Sequence, residues 1–166
     1  MPGTPDQSLE LEQLRRVVKL SGDGQSMAPR EYAHFLSQIL SQEEIEADYY
    51  SNGGVVETLE NRMAQLLGKE RAVFLPTGTL ANHLAVRIQA GERTRVIVQK
   101  ESHLYNDSGD CAQVLSNLNL VPLAHDAGTF TLSDVERVID RAASGRVFTG
   151  VGAIVIESPI RRRLGE

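Results

Sequence analysis

Residues 72–99 read AVFLPTGTLANHLAVRIQAGERTRVIVQ. Ala72–Leu75 is a short apolar run closed by Pro76. Leu80–Ala90 has helical spacing and ends at Gly91, and Arg95–Gln99 is a second apolar run. Apolar runs of this length bounded by turn residues suit strands, and a helix between two of them suits a crossover. The stretch therefore reads as strand–helix–strand, and such units join parallel strands.

The same alternation continues toward the C-terminus. Ser108–Leu118 reads as a helix and 119–123 as a third strand. Ser133 with Glu136 has the spacing of a capping box opening a helix to Ala143, and 151–156 reads as a fourth strand. Near-continuously apolar strands fit a sheet covered on both faces. The expected class is α/β, a mainly parallel sheet with flanking helices. Glu157–Glu166 (ESPIRRRLGE) follows a strand with no element after it, which reads as an unfinished domain.

Upstream the rhythm is helical. Asp6–Leu20 carries Leu9, Leu11, Leu14, Val17 and Val18, behind a loose terminus at Met1–Pro5. A second helix starts near Pro29 and carries Tyr32, Phe35, Leu36, Ile39 and Leu40. A third carries Val56, Leu59, Met63, Leu66 and Leu67 and stops at Gly68. Between the last two, Asp48–Gly54 (DYYSNGG) is turn chemistry, with two adjacent glycines free to adopt positive φ.

Composition narrows the partners. The chain has 166 residues, 41% hydrophobic and 23% charged, with a net charge of −5. That balance suits a globular domain and argues against nucleic acid or an anionic membrane as partner. No apolar run approaches the roughly 20 residues that span a bilayer. The N-terminus lacks a basic-then-apolar export pattern, and Cys111 is the single cysteine, which fits a reducing, cytoplasmic location. No Cys/His cluster has metal-ligand spacing, so no metal is expected.

Three places carry candidate chemistry. Thr77-Gly78-Thr79 stands between a strand and a helix, where free N–H groups and two hydroxyls can cradle a phosphate; the same residues also suit a plain helix cap. His103 lies just past a strand's carboxyl end, the edge where open parallel sheets bind ligands. An imidazole there can stack on a ring or move a proton, or simply occupy a surface loop. Asp107 and Asp110 can orient it or cap the next helix. Glu157 ends the last strand, ahead of Arg161, Arg162 and Arg163, a run that can bind a carboxylate or phosphate or form a solvated turn.

Several motifs in order resemble the threonine aldolase and β-eliminating lyase family. They are Tyr50-Ser51-Asn52-Gly53-Gly54, Leu59-Glu60, Leu67-Gly68-Lys69-Glu70, Pro76 through Asn82, Glu101-Ser102-His103, Asp107 through Asp110, and Ile156 through Pro159 with the arginines. The likeness runs from about Tyr49 to the end. It implies the large domain of the aspartate-aminotransferase-like fold, called fold type I, with pyridoxal 5'-phosphate (PLP) as cofactor. Residues 1–48 are then an N-terminal helical segment and 49–166 an incomplete PLP-dependent transferase-like domain.

The resemblance also implies roles. Thr77, Gly78, Thr79 and Asn82 match the phosphate-binding turn, and His103 matches the residue stacked on the pyridine ring. Asp107, where many members carry glutamate, is placed as an assisting catalytic residue. Glu157 and Arg161 match a stretch close to the cofactor, with Ser158 where many members have asparagine. Tyr50 and Arg161 are placed on the substrate side, Tyr50 at a junction between subunits. The implied substrate is a β-hydroxy or β-substituted α-amino acid, and the implied assembly a homodimer or homotetramer. The aspartate and arginine near the pyridine nitrogen and the Schiff-base lysine fall downstream of Arg163 in the family; none of Lys19, Lys69 and Lys100 matches that lysine. The expectation is an N-terminal fragment, inactive alone, or a non-catalytic half acting only with a C-terminal partner.

Overall fold

The computed structural model describes residues 27–42 and 44–163. The Asp6–Leu20 helix and the Met1–Pro5 terminus expected from the sequence lie outside the described residues. Two compact units make up the chain, Met1–Phe74 and Leu75–Glu166.

In the first unit, helix α1 spans Pro29–Gln42. Proline suits its first position because that N–H would lack an intrahelical acceptor anyway. The Glu31 carboxylate accepts the Ala28 N–H at 2.9 Å and closes the first turn. The stripe of Tyr32, Phe35, Leu36 and Leu40 is exposed. Helix α2 spans Gly54–Leu67 and ends at Gly68, at φ 60°. There the N–H groups of Gly68 and Lys69 return to the Gln65 and Ala64 carbonyls, the paired closure that favours glycine. Gly54 is needed twice over: its φ is 56°, and a Cβ there would sit 2.7 Å from the Glu46 carbonyl oxygen.

The expected strand at 72–75 does not form. Phe74 instead donates its N–H to the Glu60 carboxylate at 2.7 Å, and Val73 is exposed. Apolar character made this run a strand candidate, but a strand exists only against a partner ladder, and no described strand pairs with it.

The second unit contains α3 (Gly78–Ala90), β1 (Arg95–Gln99), the short turn α4 (His103–Asn106), α5 (Cys111–Ser116), β2 (Asn119–Leu123), α6 (Leu132–Ala143) and β3 (Val151–Ile154), then a 3-10 turn at Arg161–Arg163. The sheet is parallel with order β2-β1-β3. Central β1 is the most buried strand: Val96, Ile97 and Val98 have no exposed surface. Burying each such side chain stabilises by about 1.5–3 kcal/mol, an upper range because unfolded chains are already partly compact. Val96 and Val98 pack in one cluster with Val86 and Ala90 of α3, Leu104 of α4 and Ala112 of α5. Pro122, which has no N–H to give a ladder, is tolerated because β2 is an edge strand.

The pairing of β1 with β3 shifts between Arg95 and Val96, which pair with Val151 and Ala153 and leave Gly152 between. A Cβ on Gly152 would meet the Ala90 carbonyl oxygen at 2.5 Å, so the end of α3 crosses the sheet on bare backbone. That contact sets the helix direction. Ala90 lies by the entry of β3, so α3 starts near the opposite, carboxyl edge: thirteen residues rise about 20 Å, enough to cover a five-residue strand.

Two helix readings are corrected. The expected helix at 108–118 is α-helical only over Cys111–Ser116, because Gly109 (φ 59°) and Asp110 (φ 54°) turn the chain left-handed and separate α4 from α5. The capping box of α6 is Thr131 with Asp134, not Ser133 with Glu136, since the helix starts at Leu132. Thr131 accepts the Asp134 N–H at 3.3 Å and returns its own N–H to the Asp134 carboxylate at 2.8 Å. The last strand pairs through Ile154 rather than Ile156. No helix among the described residues is long and apolar enough to cross a membrane.

Candidate functional site

At the carboxyl edge of the sheet, the chain leaves β1 and β3 into polar segments. Thr77 precedes α3 in extended geometry, and its hydroxyl accepts the Leu80 N–H at 3.1 Å. The Ala81 N–H bonds the Thr77 carbonyl. The N–H groups of Gly78 and Thr79 precede any intrahelical acceptor, as at every helix start. Gly78 does not have a left-handed φ, and a Cβ added there would meet nothing within 4 Å. The fold itself thus has no need of glycine at this position. Thr77, Gly78 and Asn82 are exposed, and Thr79 is half-buried.

His103 opens α4 directly after Ser102, which is fully buried. The Ser102 hydroxyl donates to the Gln99 carbonyl at 2.7 Å and so does not cap the turn. The Glu157 carboxylate does so instead: Oε2 accepts the His103 N–H at 2.5 Å, and Oε1 accepts the Arg161 N–H at 3.4 Å. The imidazole Nδ1 of His103 is buried with no hydrogen-bond partner among the described residues. A buried polar atom left this way costs about 1–3 kcal/mol unless a further group satisfies it.

Gln99, at the end of β1 and 2% exposed, is a buried polar residue that no sequence motif marks. Its Oε1 accepts the Glu157 N–H at 2.7 Å, and its Nε2 donates to the Glu157 carbonyl at 3.3 Å and the Gly128 carbonyl at 2.9 Å. The one available signal was a polar residue closing the otherwise apolar core of RVIVQ.

Asp107 does not cap the start of the next helix or bond the imidazole; it closes the end of α4, its N–H on the His103 carbonyl at 2.8 Å. Arg162 donates to its two carboxylate oxygens at 3.2 and 2.7 Å. The Arg162 guanidinium holds the Asp107 carboxyl below its ordinary value, and the more distant charges of His103 and Arg161 add to the effect. Asp107 in turn raises Arg162 above its ordinary value. The arginine partner was not singled out from the sequence, because a run of three offers no way to choose among them.

The second unit thus joins His103, Asp107, Glu157 and Arg161 through direct bonds and runs of a few residues. It directs the α3 start, with Thr77, Gly78, Thr79 and Asn82, toward the same edge. Tyr50 belongs to the first unit. With Ser51 it forms a two-residue turn, both residues at positive φ (52° and 60°), closed by paired hydrogen bonds between Tyr49 and Asn52. Its ring meets Tyr49 edge-on at 4.7 Å. Gly53 and Gly54 have the positive φ that the sequence allows them; Tyr50 and Ser51 share that conformation without glycine's freedom.

Comparison with known proteins agrees with this architecture. Residues 34–163 match the family model described as beta-eliminating lyase. A low-specificity L-threonine aldolase from Escherichia coli is 36% identical over 89 residues, 53% of this chain and 27% of that protein. Low-specificity L-threonine aldolase 1 of Arabidopsis thaliana is 26% identical over 77 residues, 45% of this chain and 22% of that protein. Among solved structures, a Listeria monocytogenes protein assigned as an L-allo-threonine aldolase superposes with a TM-score of 0.65 at 30% identity, over 94% of this chain and 41% of its own. An Exiguobacterium protein assigned as an aromatic amino acid β-eliminating lyase/threonine aldolase shares the fold, with a TM-score of 0.67 at 23% identity. The chain spans less than half the length of these relatives.

Proposed function

Because the chain belongs to the β-eliminating lyase family, we propose that it forms the phosphate and ring side of a PLP site. The enzyme it serves is a lyase for β-hydroxy or β-substituted α-amino acids, and the aldolase names of its relatives favour cleavage of a β-hydroxy amino acid to glycine and an aldehyde. The observation that carries the reading is the pair of unmet features at one sheet edge. Gly78 leaves open space at a helix start, and His103 holds a buried nitrogen without a partner.

The residues fit the group. Thr77, Gly78, Thr79 and Asn82 would hold the phosphate, where backbone N–H groups and the helix dipole favour an anion. His103 would lie against the ring. When bound, PLP supplies an electron sink for bond cleavage at the amino acid α-carbon. The chain's own residues orient and move protons. Glu157 fixes the His103 backbone, and the His103 imidazole takes the β-hydroxyl proton, directly or through one water. Asp107 assists by anchoring Arg162 and with it the turn that presents Arg161, which meets the substrate carboxylate as a planar fork. Tyr50, in the first unit, is the residue that the resemblance places at a junction between subunits of a homodimer or homotetramer.

In this reading the lysine that holds PLP lies on further polypeptide. The 166-residue chain then binds PLP weakly and turns over nothing alone, a view supported by its partial coverage of the aldolases. The test titrates the purified chain with PLP, then adds threonine or allo-threonine and assays aldehyde, with and without a C-terminal half. Saturable PLP binding that weakens at least tenfold in His103→Ala, an effect of about 1.4 kcal/mol, supports the reading. No saturable binding overturns it, and steady aldehyde release by the lone chain overturns the division of roles.

A further inference from the structure

We infer that Gln99 is a positioning residue of this site, acting on His103 through Glu157; the inference rests on the reading of His103 as the ring contact. Gln99 sits where β1 and β3 part. Ladder pairing ends at Ile97 with Ile154, and the Val155 N–H makes one more bond, to the Ile97 carbonyl at 2.8 Å. Beyond that the Gln99 side chain takes over the role of a strand. It receives the Glu157 N–H and returns a donor to the Glu157 carbonyl, at 2.7 and 3.3 Å. Its second donor reaches the Gly128 carbonyl, in the loop between β2 and α6.

Only one orientation of the amide satisfies all three contacts, since two carbonyls need the nitrogen and one N–H needs the oxygen. One buried side chain therefore sets the loop after β2 and the exit of β3. Glu157, its backbone held on both sides, aims its carboxylate at the His103 N–H. Ser102 completes the closure, its hydroxyl on the Gln99 carbonyl and its own N–H on the same oxygen at 3.0 Å. The consequence is a division of labour within the site. The α3 start places the phosphate without help from Gln99, whereas the ring face depends on the Gln99–Glu157–His103 sequence of bonds. Loss of Gln99 weakens ring recognition and leaves phosphate recognition intact.

The test uses the full chain with inorganic phosphate and pyridoxine 5'-phosphate, which has no aldehyde and forms no bond to lysine. It also follows amide hydrogen exchange at His103, a readout of the bond to Glu157 that needs no ligand. Gln99→Met keeps the volume and removes all three bonds, and Glu157→Ala removes the carboxylate. Both are expected to speed His103 exchange by about tenfold or more, since a local opening then exposes that N–H. Both are expected to weaken pyridoxine 5'-phosphate binding about tenfold and leave inorganic phosphate binding unchanged. Glu157→Gln retains an acceptor oxygen and is expected to return His103 exchange to within about threefold of the parent. Should Gln99→Met fail to fold, the two Glu157 variants decide. Unchanged His103 exchange in the folded variants overturns the inference, as does equal loss of affinity for the two ligands. If the parent chain binds no pyridoxine 5'-phosphate while His103 exchange responds as expected, the cofactor reading fails and the positioning role stands.

Discussion

Gly78 separates what the fold needs from what a ligand needs. Changing it to alanine adds one methyl where the structure offers open space: the backbone is outside the left-handed region, and nothing lies within 4 Å of the new Cβ. The folded state therefore bears no strain, while the unfolded chain loses freedom. The expected result is a gain of about 0.4–1 kcal/mol in stability. For a chain of this size that raises the melting temperature by about 1–4 °C. The methyl also stands where an anion would approach the N–H groups of the first turn, so PLP affinity should fall at least tenfold, or about 1.4 kcal/mol. Gly152→Ala is the control with the opposite signature. Its Cβ would lie 2.5 Å from the Ala90 carbonyl oxygen and 2.8 Å from the Ala90 Cα, both backbone atoms, where ordinary contact starts at 3.4 Å. The shortfall of 0.9 Å must be met by moving α3 off the sheet, at a cost of about 1–3 kcal/mol. Urea unfolding at unchanged m-value and equilibrium PLP titration on the two variants give all four numbers. A Gly78→Ala chain that gains stability and binds PLP as tightly as the parent would refute the cradle.

Two further outcomes follow from the geometry. In the parent chain the Asp107 carboxyl should titrate below its ordinary value of 3.8, because Arg162 favours the charged form. Its folded pKa is lowered, so the stabilising effect of the pair is complete above the ordinary value and disappears as pH falls through the lowered one. Arg162→Met should move the midpoint up toward 3.8, followed by carboxyl carbon NMR; identical midpoints in the two proteins would exclude the pair in solution. In the first unit, Gly54→Ala forces an alanine to φ 56° and sets its Cβ 2.7 Å from the Glu46 carbonyl oxygen. The left-handed conformation alone costs about 1–2 kcal/mol, so the urea midpoint should drop clearly, and an unchanged midpoint would show that the turn is built differently.

Much of the second unit was legible because it depends on local chemistry. Helix α3 begins after Thr77 and ends before Gly91, and β1 is the apolar run Arg95–Gln99. Helix α6 was legible as well, although its start was read two residues late: Thr131 and Asp134 satisfy the same pattern as Ser133 and Glu136, and only the observed first turn distinguishes them. The run at 72–75 failed for a different reason. It has the composition of a strand, and composition carries no information about a partner; in the structure its N–H at Phe74 goes to Glu60.

The sequence by itself determined the α/β alternation, which rests on spacing along the chain, and the family, which rests on the resemblance of its motifs. The tertiary structure alone decided how those residues act on one another. Glu157 meets the His103 N–H across 54 positions, Arg162 meets Asp107 across 55, and Gln99 meets Glu157 across 58. Hydrogen bonds of this kind are set by which strands are neighbours and where their pairing ends. A sheet in which β1 lies between β2 and β3 brings the three exits together, and no local pattern of residues encodes that order.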